Sequence, residues 1–336
     1  MHLRVRKKKG EGIRKKLIEE DALDERMEVG RDDRYLYFPL KKEIQYPDTL
    51  IVDRTGVEKN TRPKSLRESL KKQLSAGDLE YIPSSFDVIG DIAILEIPEE
   101  LEDKKEIVAK SLQETFRNIN VVTAKETRVS SEYRIRRVEV IAGERRTTTV
   151  HREHDCLYRL DVGSAYFSPR LSAERLRVAD KVQKGERVLV MFAGVGPYAV
   201  LIAKKRNPKE VIAVELNPDA VRYMIENVSL NKVDVRVIEG DVRDETPKLG
   251  QFNRIIMPLP KDAGDFLDVA LPALNKGGVI HFYDFSPSGE ESVKKVMSIT
   301  EKLGYGIKVL DAVKCGSYSP FINRICVDFM IGDYLA

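Results

Sequence analysis

The chain has no tryptophan, only three cysteines and four histidines in 336 residues. Cys156, Cys315 and Cys326 lie far apart and form no CxxC spacing, which argues against a disulfide framework or a cysteine-rich zinc site and fits a reducing cytosol. Nowhere do about 18 apolar residues run uninterrupted, and the charged start MHLRVRKKKGEGIRKK has no apolar stretch behind it, so neither membrane insertion nor secretion is favoured. An excess of one charge is missing as well. Lys and Arg number 57 against 54 Asp and Glu, a net +3, so any signal for a nucleic-acid partner must be local. Without tryptophan, stacking on a base or cofactor falls to tyrosine and phenylalanine.

Hydrophobic residues at 42% and charged residues at 33% are enough for real cores, and the length leads us to expect two or three compact units. Residues 1–60 read as a small α+β module: the alternating HLRVR, the amphipathic GEGIRKKLIEEDAL and the alternating RYLYFPL. Its first 16 residues hold eight Lys or Arg and one acid, Glu11, which is either a phosphate-contacting edge or a solvated face. The breaker-rich IVDRTGVEKNTRPKSL places a linker near residue 60. A second α+β unit, 61–170, follows: helix LRESLKKQL, strand FDVIGDIAILEIP, helix EDKKEIVAKSLQETF, then the extended runs YRIRRVEVIAG, TTTVHREHD and CLYRLDVGSAYF. Between 125 and 152 it carries eight Lys or Arg against four Glu, a second basic patch.

From the amphipathic SPRLSAERLRVADKV onward, within a third unit at 171–336, short apolar runs alternate with helices. The runs are RVLVMFAG, EVIAVEL, DVRVIEG, NRIIMPLP and GGVIHFYDF; the helices include DAVRYMIENVSLN, DAGDFLDVALPAL and ESVKKVMSITEKLG. Near-continuous apolar strands between amphipathic helices mark a parallel sheet covered on both faces. GIKVLDAVKC and INRICVDFMI have no helix between them and should pair as an antiparallel hairpin at the sheet edge. That layout is a seven-stranded, class I (Rossmann-like) methyltransferase sheet, here preceded by two smaller N-terminal α+β domains.

The turn after the first parallel strand holds Gly194 and Gly196, where missing side chains let a ligand approach the backbone and the following helix N-terminus. With Ala199 they also match GxGxxG/A, so the motif alone does not separate NAD from S-adenosylmethionine. Glu215 ends the second strand, placed to accept ribose hydroxyls, and Asp241 ends the third, placed to accept an adenine amine. Taken singly, each also fits a loop acid or a helix cap. Three successive strand ends in register, FAGVGP, VELNP and GDVRD, make one crevice at the topological switch. At the fourth strand end, Pro258-Leu259-Pro260 is stiff and lacks the Asn or Asp acceptor that transferases acting on exocyclic amines place there, which disfavours an exocyclic amine as target and leaves a ring nitrogen open. His151 and His154 are three apart, but in an extended segment without cysteine partners, so no metal is assigned.

These residues resemble the archaeal and eukaryotic tRNA (guanine-37-N1)-methyltransferases, over nearly the whole chain: the basic start, FDVIGDIAIL, YRIRRVEVIAGERRTTTVHRE, DVGSAYFSPRLSAERLRV, FAGVGPYAV and the last hairpin. The run from YFSPRL through ERLRV to FAGVGP is specific to that family and its close relatives. The resemblance implies a monomer in the cytoplasm whose first module touches the outer corner of tRNA, whose middle domain grips the anticodon arm and whose last domain holds S-adenosylmethionine. It aligns the family's Tyr-Arg pair with Tyr133-Arg134 and its glutamate with Glu174. N1 of guanine carries a proton near neutral pH, so Glu174 becomes the expected general base and Arg134 the expected donor to O6 as charge builds there. It further implies cofactor contacts from Phe167, Arg175, Gly194, Gly196, Glu215, Leu216, Asp241, Val242 and Pro258, and contacts to the flipped base from Tyr166 and Pro260.

Many family members have Asn-Leu-Pro or Asn-Pro-Pro where this chain has Pro258-Leu259-Pro260. The chain in this respect is similar to the archaeal subgroup that also methylates C7 of the tricyclic wyosine precursor at the same nucleotide. Three competing functions have discriminators: a wyosine-pathway aminocarboxypropyltransferase (product mass on tRNA), a non-catalytic RNA-binding protein (failure to bind the cofactor) and a NAD-dependent dehydrogenase, for which no hydride-transfer centre is legible.

Overall fold

The computed structural model describes residues 1–58, 63, 65–129 and 136–334. The chain divides into two compact units, Met1–Ser69 and Leu70–Ala336. In the first, an antiparallel sheet runs in the order Gly30–Arg31, Tyr35–Pro39, His2–Arg6, Leu50–Val52. The helix Gly10–Glu19 buries Gly10, Ile13 and Leu17, spaced three and four apart, so one stripe meets Leu3, Val5 and Phe38 while Arg14, Lys15 and Lys16 face solvent. Leu50–Val52 lies in a stretch read as the approach to a linker; it forms an edge strand because it pairs with His2–Arg4.

The second unit begins with a four-stranded sheet: Asp87–Ile89, Ile92–Leu95, Val121–Val129 and Arg136–Gly143 in that order. The single strand expected over FDVIGDIAILEIP is a hairpin. Gly90 takes φ +58°, and a Cβ there would stand 2.7 Å from the Val150 carbonyl oxygen, so only glycine turns the chain at that point. Val121–Val129, not anticipated from its mixed composition, runs parallel to Ile92–Leu95 because the helix Lys105–Thr115 carries the chain back across the sheet. A separate hairpin, Thr148–Glu153 with Cys156–Asp161, turns through His154 and Asp155, both left-handed as a tight hairpin turn requires.

The remaining strands are β1 (Arg187–Met191), β2 (Glu210–Glu215), β3 (Arg236–Glu239), β4 (Phe252–Met257), β5 (Leu274–Ser286), β6 (Tyr305–Ser319) and β7 (Ile322–Tyr334). They lie in the order β3-β2-β1-β4-β5-β7-β6, with β7 antiparallel to both neighbours and the rest of the sheet parallel. This is the Rossmann-like methyltransferase sheet with its edge hairpin. Four helices concern the site: α1 (Ser172–Lys181), α2 (Pro197–Lys205), α3 (Pro218–Asn231) and α4 (Gly289–Lys302). Val188–Met191, Ile212–Val214 and Ile255–Met257 are fully buried, as strands covered on both faces must be. The helix expected over DAGDFLDVALPAL shrinks to two short turns, Ala263–Phe266 and Leu267–Ala270, since Pro272 cannot continue it. Among the described residues no helix is long and apolar enough to cross a membrane.

Candidate active site

Sheet order reverses between β1 and β4, and the crevice opens over the carboxyl ends of β1, β2 and β3. The chain leaves β1 through Phe192, Gly194 and Gly196, all left-handed. Phe192 is an aromatic residue held at φ +53°, a costly conformation, with its ring 4.8 Å edge-on to Phe266. Gly196 caps α2; a Cβ there would fall 2.7 Å from Cγ of Met224 on α3, so the glycine also sets how closely the two helices pack. Glu215 closes the loop from the other side: Oε2 accepts from Gly194 N at 2.7 Å and Oε1 from Asn217 N at 2.9 Å. Burial pushes the Glu215 carboxyl above its ordinary range, opposed by those backbone donors.

Leu216 is exposed beside Glu215, and Val242 is buried. Asp241 is half-buried and caps the single turn Val242–Glu245, accepting from Arg243 N at 2.8 Å, so the candidate ligand is also a helix cap. Pro258 and Pro260 are half-buried after β4, and the Pro260 carbonyl accepts from Phe285 N. Sequence reasoning missed Asn217. It caps α3 through Asp219 N, and its amide donates to Ser164 O, tying the 161–168 segment to the end of β2. The Asn-Pro pair at a helix start was the available signal. Asn227 and Asn231 on α3 were missed too; each exchanges two hydrogen bonds with the backbone of Arg159 and Leu157, fixing the hairpin edge to the helix.

Three site residues sit in the segment before α1, or just inside it, and differ sharply in environment. Tyr166 is 55% exposed, and its carbonyl lies beside Gly194. Phe167 is buried against His151 and Tyr158, with the Arg175 guanidinium 4.8 Å above its ring. Arg175, 2% exposed, is forked onto Glu153 at 2.5 and 2.7 Å and donates to Ser168 O. Burial raises the Glu153 carboxyl, but Arg175 and His151 outweigh it and hold it at about 2. Arg175 and Glu153 thus tie α1 and the segment before it to the strand Thr148–Glu153.

Glu174 is 5% exposed on α1. Its carboxylate accepts two hydrogen bonds from Arg177 at 2.7 Å and one at 2.6 Å from the Tyr283 hydroxyl, which in turn lies 2.8 Å from the Tyr198 hydroxyl in the first turn of α2. Arg177 also reaches Asp328, which holds Lys181 and His281 Nδ1, each at 2.6 Å. Arg254 donates to His281 Nε2 at 2.8 Å, so that nitrogen accepts and the ring is neutral with its proton on Nδ1. His281, Cys326 and Asp328 lie close enough to be considered as metal ligands, but their lone pairs and protons are spent on one another and on Arg254. His151 accepts from Gly90 N, and His154 pairs with Ser172. Tyr133 and Arg134 lie outside the described residues.

Three family models match the chain: the TRM5/TYW2 methyltransferase domain over residues 149–309, the TYW2 N-terminal domain over 66–147 and the tRNA methyltransferase 5 N-terminal domain over 3–47. A Pyrococcus abyssi protein, tRNA (guanine(37)-N(1))-methyltransferase Trm5b, is 39% identical over 335 residues, 98% of each chain. The chain belongs to the TRM5/TYW2 methyltransferase family. A solved complex of aTrm5 with a leucine tRNA superposes on it with a TM-score of 0.80 at 33% identity, covering 99% of this chain and all of that one. A Pyrococcus horikoshii tRNA(Phe) (4-demethylwyosine(37)-C(7)) aminocarboxypropyltransferase from the same family is 31% identical and covers 79% of this chain and 96% of its own.

The residues at the crevice fit the S-adenosylmethionine that this TRM5/TYW2 family uses: a glycine-walled turn, a helix N-terminus, and two acids at successive strand ends. Glu215→Gln is expected to weaken S-adenosylmethionine binding by about 10–100-fold, because a charge-assisted acceptor worth ~1.5–3 kcal/mol is lost and an amide N–H is set against Gly194 N. Calorimetric titration checks it; an unchanged Kd would remove Glu215 from the cofactor site.

Proposed function

We infer that the chain transfers a methyl group from S-adenosylmethionine to N1 of guanosine 37 in tRNA, acting as a monomer. The observation that supports this most directly is the continuous frame of Gly194, Glu215 and Tyr166 around one crevice, with Glu174 anchored just behind it through Tyr283 and Tyr198. When bound, the cofactor would supply an electrophilic methyl group on a sulfonium, with a neutral thioether as the leaving group. Glu215 and Asp241 would hold ribose and adenine, with Leu216, Val242 and Pro258 walling the adenine and Phe167 and Arg175 bracing the wall. Tyr166 and Pro260 would sandwich the extruded guanine.

Glu174 is proposed to take the N1 proton and Arg134 to donate to O6. Arg177 and Tyr283 already fill three of the roughly four lone-pair positions of the Glu174 carboxylate. The Tyr283 hydroxyl has Tyr198 as an alternative acceptor, so it can give way to the purine N–H without being left unpaired. Residues 1–60 and 61–170 would carry tRNA. In the second unit a groove of about 890 Å³ is lined by Arg146, Arg152, Arg159 and Arg222 together with Asp91 and Glu226, which pair with Arg146 and Arg159.

The aminocarboxypropyl reading is less favoured because that relative covers only 79% of the chain, whereas the tRNA methyltransferase 5 N-terminal model matches 3–47. The Pro258-Leu259-Pro260 loop favours a second substrate, C7 of the tricyclic wyosine precursor. Mass spectrometry of tRNA after incubation with enzyme and methyl donor tests both readings. One methyl on guanosine 37 is expected; an aminocarboxypropyl adduct would replace the assignment, and no transfer to precursor-bearing tRNA would remove the second activity.

A further inference from the structure

The β6–β7 hairpin ends in an aromatic cluster that nothing above uses. Ser319 pairs with Ile322, so Pro320 and Phe321 form its tip. Tight turns favour glycine, asparagine or aspartate, yet Phe321 is 83% exposed, the most exposed large hydrophobic side chain among the described residues. Tyr318, 61% exposed, lies over Phe285 with ring centroids 4.2 Å apart and planes 32° from parallel. The Arg324 guanidinium covers Phe285 from 5.4 Å, and its Nη2 donates at 3.3 Å to the Tyr166 hydroxyl, while its Nε is buried with no acceptor among the described residues. Phe285 N donates to Pro260 O, which joins the cluster to the loop after β4. The exposed rings thus continue without a break from the wall that holds the target base.

We infer that Tyr318, Phe321 and Arg324 form a stacking platform for the unpaired base next to the methylated guanine, gripping the anticodon loop while that guanine is drawn out of it. This rests on the tRNA assignment above. Bases stack on aromatic faces and guanidinium planes whatever their identity. A guanidinium laid on the Phe285 ring and bonded to the Tyr166 hydroxyl, beside the exposed rings of Tyr318 and Phe321, suits a nucleotide, whose base stacks on such faces.

The test uses full-length enzyme and tRNA carrying 2-aminopurine at the nucleotide 3′ or 5′ to the target. Wild-type enzyme should quench one of the two probes. Phe321→Ala and Tyr318→Ala should abolish that quench and weaken tRNA binding about 10-fold, ~1.4 kcal/mol, with the S-adenosylmethionine Kd unchanged. Phe321→Leu keeps apolar area without a π-face and should behave like the alanine variant. Equal quench and equal tRNA affinity in all variants, beside normal methyl transfer by wild type, would overturn the platform. So would self-association of the wild type that Phe321→Ala abolishes without changing tRNA affinity. Failure of the wild type to methylate tRNA would instead defeat the underlying assignment.

Discussion

Glu174→Gln should lower the single-turnover methyl-transfer rate by about 10²–10⁴-fold, the usual worth of a positioned general base, while changing tRNA affinity little. The side chain is isosteric, and a Gln amide can keep its oxygen toward Arg177 Nη2 and Tyr283 while its N–H then faces Arg177 Nε, so urea unfolding of the variant separates loss of chemistry from loss of fold. Arg177 keeps Asp328 as a charged partner, and the Tyr283 hydroxyl keeps Tyr198. Loss of rate is then a chemical effect rather than a collapse of the fold. An unchanged single-turnover rate in the variant would reject the role and leave Glu174 as a structural anchor of α1. Cys315, whose thiol burial and the Glu174 charge push well above its ordinary range, stays protonated and does not substitute as a base.

The parallel sheet and its edge hairpin were legible because period and apolarity speak locally: RVLVM, EVIAVE and FNRIIM are strands on their own evidence of burial, and the helices between them show a stripe. The crevice was legible because its parts stand at successive strand ends. What escaped reading is long-range. Glu174 and Tyr283 are 109 residues apart and Arg177 and Asp328 are 151 apart, and no spacing rule connects them. A faint signal existed in GVIHFYDF and INRICVDFM, where His281 and Asp328 interrupt buried apolar strands, since a buried polar group demands a partner. Gly90 misled in the opposite direction: one glycine inside an apolar run reads as a weak strand, and only Thr149 and Val150, brought in from another hairpin, make it a turn. Asp241 bears out the helix-cap reading of a strand-end acid, accepting from Arg243 N at the start of the turn Val242–Glu245.

Asp328→Ala should destabilise the second unit by about 3–5 kcal/mol, the effect of stranding buried charge. Asp328 is itself buried and receives Arg177, Lys181 and His281, with the Cys326 thiol at 3.2 Å; truncation leaves Arg177 paired to Glu174 alone and orphans the His281 Nδ1 proton. Urea unfolding at neutral pH measures the loss, and a change within about 0.5 kcal/mol would show that the network is not coupled to the fold. The pH dependence separates the partners. Burial lowers the His281 pKa below 6.5, so the unfolded chain binds the proton more readily, and stability present above that pH declines as acid is added. Burial alone would raise Asp328, but His281 and Arg177 hold it far below the carboxylate range, so its contribution is complete above about 4 and is lost only in stronger acid. Wild-type stability should therefore fall in two stages, one beginning near pH 6.5 and one below about 4. Glu153, also held down, shares the lower window, so the variant should shrink the second stage without abolishing it. A second stage of undiminished size in Asp328→Ala would assign the acid sensitivity to Glu153 and the other paired carboxylates instead.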